Sequence, residues 1–163
     1  MTVQTEEKPM TVHTSVVLDK STTSMVQDLI QINLDSRDGL REAANNMNNE
    51  SVVELFQDIA RDRETQAAEL SQLISANCKV PQNTGSVLAA AHRAWMDVRA
   101  LLGGGLAAML SEAERGETYI NIKYEDAIQK CTNFAVTELL QRHYAAVKAT
   151  YEAVRFMCED NME

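Results

Sequence analysis

Apolar residues recur at three- and four-residue steps through most of this chain, and each long stripe turns polar near its middle. From Ser24 to about Met47, the residues Met25, Leu29, Ile32, Leu40, Ala43, Ala44 and Met47 share one helical face. The string Ser24-Met-Val-Gln27 has capping-box form and predicts the start of that helix, and the Asn-rich stretch Asn45–Asn49 predicts its end. A second capping box, Ser51-Val-Val-Glu54, predicts a helix with Val52, Phe56, Ile59, Arg63, Ala67, Leu70 and Ile74 on one stripe. Asn77–Gly85, with Pro81 and Asn83-Thr84-Gly85 inside it, reads as a loop. A third helix over about 86–102 would turn Leu88, Ala91, Trp95, Val98 and Leu102 inward. Gly103-Gly104-Gly105 stops it, because consecutive glycines lose too much backbone entropy in a helix.

The fourth stripe, from about Leu106 to Lys130, aligns Leu106, Leu110, Ala113, Glu117, Ile120, Tyr124 and Ala127. Its segment Thr118–Tyr124 is rich in β-branched and aromatic residues, yet a strand there would have no partner, so a helix is expected. Thr132 or Asn133 can cap the last helix, whose stripe is Val136, Leu140, His143, Val147, Val154 and Met157. Short connections make the first two helices antiparallel neighbours, and likewise the last two. The third spans roughly 25 Å at 1.5 Å per residue, enough to return the chain along the bundle. The expected fold is all-α: a ferritin-like antiparallel four-helix bundle with a helical crossover between its two hairpins. It occupies residues 23–159, behind a polar tail over 1–22 that contains His13.

Helices of similar length packed antiparallel bring their midpoints to one level. Ser36/Arg37, Arg63/Gln66, Glu117 and His143 therefore form a polar layer inside an apolar bundle, with Asn33 also near the middle of the first helix. Buried charges must be paired, since desolvating a lone ion costs several kcal/mol or more. The expected arrangement is an Arg63–Glu117 ion pair, with His143 or Gln66 completing its hydrogen bonds. Glu112 and Glu114 fall on other faces than Glu117, and Gly116 and Gly39 suggest close helix approach at that level.

Composition narrows the partners. Net charge is −9 in 163 residues, which disfavours nucleic acid and anionic membrane surfaces. No apolar run nears the ~20 residues needed to cross a bilayer, and the start has no apolar signal core. The three cysteines, Cys78, Cys131 and Cys158, are widely spaced with no CxxC, which fits reduced thiols in a cytoplasm. Aromatics are only 5% of the chain, and the eight methionines sit at core spacing as gap-fillers.

Ala91-His-Arg-Ala-Trp-Met-Asp-Val-Arg-Ala-Leu-Leu102 and the later Glu112-Ala-Glu-Arg-Gly-Glu117 carry a family resemblance. So do Asp38-Gly39 with Arg41-Glu42-Ala43-Ala44, Ala67-Ala68-Glu69-Leu70 and Arg142-His143-Tyr144. Over roughly residues 24–157 the chain resembles the bacterial domain of unknown function 2383 family, which is placed among ferritin-like four-helix bundles. The resemblance implies a fold and no particular reaction.

A ferritin-like di-iron site draws one Glu from each of two helices and a Glu-x-x-His pair from each of the others. This chain has no Glu-x-x-His; Arg63-x-x-Gln66 and Leu140-x-x-His143 stand in the corresponding places. The leading expectation is thus a non-enzymatic structural or protein-interaction bundle, self-associating and without cofactor. The alternative is a metal-binding or redox protein, including ferritin-like metal oxidase activity. There Glu117, His143, Glu114 and Glu69 would hold iron or another divalent metal, with Glu138 a further carboxylate in reach. A third reading is a small-molecule site beside the crossover helix. His92 and Trp95 on that helix read as a packing histidine and a core anchor rather than an acid–base pair with a ligand platform.

Overall fold

Four helices account for the regular structure in the computed structural model, which describes residues 17–77 and 105–161. They are α1 (Lys20–Asn45), α2 (Glu50–Asn77), α3 (Gly105–Lys130) and α4 (Phe134–Asp160). No strand occurs among the described residues, and Thr118–Tyr124 is helical. The expected helix over 86–102, with His92 and Trp95, lies outside the described residues, as does most of the tail.

Two helix starts differ from expectation, for one physical reason. The Asp19 side chain accepts the Thr22 backbone N–H at 2.7 Å, so α1 begins a turn before Ser24 and takes in residues 20–22 of the expected tail. Thr22 is itself buried. Asn49 likewise accepts the Val52 N–H at 3.2 Å, so α2 begins at Glu50 and Ser51 is already inside it. A short polar side chain three residues ahead of a free amide fills the capping role wherever it first occurs. At α4 Asn133 does the same for Val136 at 3.2 Å.

The inward stripes meet in two apolar clusters. One gathers Leu40, Ala43 and Ala44 of α1, Val52, Phe56 and Ile59 of α2, Met109 and Leu110 of α3, and Val154 and Cys158 of α4. The other gathers Val26 and Leu29 of α1, Leu70 of α2, Ile120, Tyr124 and Ala127 of α3, and Val136, Leu140 and Val147 of α4. Helix α1 packs beside α2 and α3, and α4 also packs beside α2 and α3. That leaves α1 facing α4, and α2 facing α3, across the centre.

No described helix is long and apolar enough to cross a membrane. Gly116 is exposed, and a Cβ there would meet nothing within 4 Å. The close helix approach expected at Gly116 is therefore not where the chain packs; its lack of a side chain faces outward.

Candidate functional site

Between the two apolar clusters lie the buried polar residues Asn33, Arg63, Gln66 and Glu117, and buried His143 falls between Leu140 and Val147 of the second cluster. Each occupies a slot in the apolar stripe of its helix, so the 3.6-residue period that buries Phe56 and Leu70 on α2 buries Arg63 as well. Arg63 is 0% exposed and Glu117 1%, which puts both charges wholly out of water.

They meet across the centre. Arg63 Nη2 donates to Glu117 Oε2 at 2.5 Å, and Arg63 Nη1 donates to Gln66 Oε1 at 3.0 Å. The Thr150 hydroxyl of α4 accepts from Arg63 Nη2 at 3.0 Å and donates to Glu117 Oε2 at 2.7 Å. Three helices thus share one charge-assisted network. Burial pushes the Glu117 carboxyl above the ordinary range, while Arg63 and the Thr150 hydroxyl pull it back toward the ionised form.

A second chain of bonds starts at the solvent edge. Glu69, half-buried on α2, sits 2.6 Å from His143 Nε2 and is also paired with Arg142. On the other side of the ring, His143 Nδ1 lies 3.4 Å from Tyr124 Oη. Asn33 Nδ2 donates to that same phenol oxygen at 2.8 Å and to the Leu29 carbonyl at 2.8 Å. One protonation pattern satisfies this chain. Asn33 donates to Tyr124, the Tyr124 O–H donates to Nδ1, and a neutral His143 donates its Nε2–H to the Glu69 carboxylate.

The electrostatics agree with that pattern. Burial pulls the His143 pKa below its ordinary value; Glu69 opposes this, and Arg142 and Arg63 add to it. The hydrogen bond from His143 holds the Glu69 carboxyl below the ordinary range, with Arg142 acting in the same direction. Burial raises the Tyr124 hydroxyl to about 12, so it stays a phenol.

Of the residues singled out in the sequence, Arg63, Gln66 and Glu117 come together, and His143 does not complete their pair. It bonds Glu69 and Tyr124 instead, and Thr150 takes the place beside Arg63 and Glu117. Arg37 turns outward to Asp38 and Glu64, leaving Asn33 as the inward polar group at the middle of α1. Burial raises the Cys158 thiol, and the nearby Glu114 acts in the same direction. Thr150 was legible: the α4 stripe skips from Val147 to Val154, and a three-residue step from Val147 lands on it. Tyr124 falls in the predicted stripe of α3, and its buried hydroxyl links Asn33 to His143.

The four candidate metal ligands separate in consequence. Glu69 and His143 form one pair, Glu117 is held by a guanidinium, and Glu114 belongs to neither group, acting instead on the Cys158 thiol. Among the described residues no three His, Cys, Asp or Glu side chains gather as a metal-binding group. A ferritin-type pair of irons needs carboxylates on both metals, and the cation already seated on Glu117 is Arg63. This donor set does not fit that centre.

The family model described as domain of unknown function (DUF2383) matches residues 21–130, more than half of the 163-residue chain. The chain belongs to this family. No curated protein and no solved structure matched. The DUF2383 span contains Asn33, Arg63, Gln66, Glu69, Glu117 and Tyr124, whereas Thr150 and His143 lie on the helix beyond it. Both networks are therefore closed by α4.

Proposed function

We propose that this DUF2383 chain is a non-enzymatic helical protein with a structural or protein-interaction role, and that its buried polar layer fixes which helices face one another. The observation that carries this reading is the Arg63–Glu117 pair, 0% and 1% exposed. Its groups bond each other, Gln66 and Thr150 rather than lining an open site. Buried ion pairs contribute little net stability but penalise every packing that separates them. The overall arrangement proposed is an antiparallel, ferritin-like bundle with the segment over 78–104 as crossover. In its support, each apolar cluster joins the start of one helix in a hairpin to the end of the other.

Metal content separates this role from iron binding. Protein purified without chelator and then offered ferrous iron should retain less than about a tenth of an equivalent of any transition metal, since the layer lacks the ligand number such ions take. A stoichiometric content with a matching absorption band would overturn the reading.

Self-association belongs to the same proposal. Tyr119 and Ile122 on α3 and Phe134 and Phe156 on α4 are exposed, Phe134 by 82%. Large apolar side chains left in water are material for an interface. Light scattering over a concentration series should show a mass above 18.1 kDa; a monomer at every concentration counts against it. With Cys131 and Cys158 both free thiols, a reducing cytoplasm is the compartment proposed.

A further inference from the structure

Helix α4 packs beside α2 and α3 through the side that buries Val136, Leu140, Val147 and Val154. Its other side carries a pattern that reads alike from both ends, with Ala145 at the midpoint. Outward from Ala145 come a basic residue on each side, Arg142 and Lys148, then Glu138 and Glu152, then Phe134 and Phe156. The members of each pair are equidistant from Ala145, and all seven residues are exposed, the phenylalanines by 82% and 68%. At about 100° per residue, Phe134 and Phe156 point within about 40° of one another around the helix axis, with Ala145 between them.

Large side chains at both ends and a methyl group at the centre make a surface complementary to itself. A two-fold axis beside Ala145 lays a second α4 antiparallel along the first. The backbones then approach closely at the alanines, and each Phe134 meets Phe156 of the other copy, as an isologous interface requires. Glu138 comes level with Glu152 of the second copy. Lys148 and Arg142 lie about one turn away across the same seam, so opposite charges alternate along it. From Phe134 to Glu159 the exposed charges are Glu138, Glu152 and Glu159 against Arg142, Lys148 and Arg155. This side is therefore neutral in a chain of net charge −9, and two copies meet here without the repulsion their net charge imposes elsewhere.

We infer that the exposed side of α4 is a dimer interface, on which a second copy of this chain docks antiparallel about a two-fold axis at Ala145. The inference rests on the self-association proposed above and adds the face, the partner and the symmetry. Two 27-residue helices in contact over about 40 Å bury an area at the low end of specific interfaces. The dimer therefore forms as concentration rises and dissociates on dilution.

The test uses the full chain. Ala145→Cys, treated with a short bis-maleimide at a concentration where light scattering shows dimer, should give a covalent dimer whose cross-linked peptides both contain position 145. Phe134→Lys and Phe156→Glu should each weaken dimerisation at least tenfold, and the double variant should recover most of that loss, because the two positions meet only between copies. Both side chains lie in water, so helicity by circular dichroism should stay unchanged in every variant. A native dimer that cross-links elsewhere, or a double variant no better than the single ones, would overturn this interface and leave self-association standing. A monomer at every concentration would overturn both.

Discussion

Glu117→Ala is expected to lower the unfolding free energy by about 3–5 kcal/mol, the cost of leaving a buried charge without its partner. Arg63 is 0% exposed and its Nη2 has only Glu117 and Thr150 as acceptors, so removing the carboxylate strands a guanidinium that water does not reach. The Thr150 hydroxyl loses its charged acceptor in the same step. Chemical denaturation of the two proteins measures the difference. The double variant Arg63→Met with Glu117→Leu removes both charges and keeps apolar volume, so it should come within about 1–2 kcal/mol of the native chain or exceed it. If the layer sets helix pairing, that variant should also lose uniqueness of structure, seen as broadened amide resonances at undiminished helicity. An unchanged midpoint for Glu117→Ala would sink the idea that the pair is a buried, mutually dependent one.

The second large effect is on pH dependence, and it centres on His143. The folded state holds this imidazole below its ordinary pKa, with burial the main cause, so the folded chain binds its proton less readily than the unfolded chain does. The sign follows. The stability associated with neutral His143 is complete above the unfolded value of about 6.5 and is lost as pH falls below it, levelling off once pH drops under the folded value. The slope for one such group reaches at most about 1.4 kcal/mol per pH unit. Other groups titrate lower down. Glu69 and Asp19 are held below the ordinary carboxylate range and lose stability in the same direction, while Glu117 and Asp35 are raised by burial and act oppositely. Comparing the native chain with His143→Gln cancels much of these contributions. The native chain should lose stability relative to the variant as pH falls from 7 to 5; parallel curves over that range would show that His143 stays neutral in both states or is not desolvated.

Much of the layer could be read along single helices. Arg63 and Glu117 were placed inward because each falls in step with apolar neighbours, Ile59 and Ala67 for one and Ile120 for the other. The same periodicity located His143 between Leu140 and Val147. Helix starts were less legible, because several short polar residues precede each helix. Asp19 and Asn49 cap the Thr22 and Val52 amides, so both helices begin before the expected caps Ser24 and Ser51. Asn33, Ser36 and Arg37 all lie near the middle of α1. Only the packing against α2 and α3 turned Asn33 in and left Arg37 to Asp38 and Glu64 outside.

The composition of the polar layer argues against a ferritin-type metal site, since Arg63-x-x-Gln66 stands where Glu-x-x-His belongs. The amino-acid order alone determined the inward stripe of each helix, including Arg63, Glu117 and His143, because a 3.6-residue repeat fixes direction around a helix axis. It did not determine every partner. Charge pairing pointed Arg63 to Glu117, but that Thr150 joins them, and that His143 turns to Glu69 and Tyr124, depends on which helices lie side by side and which face across the centre. Those choices are made by the packing of all four helices together, where distances of a few ångströms decide every hydrogen bond, and a periodicity along one chain carries no information on them.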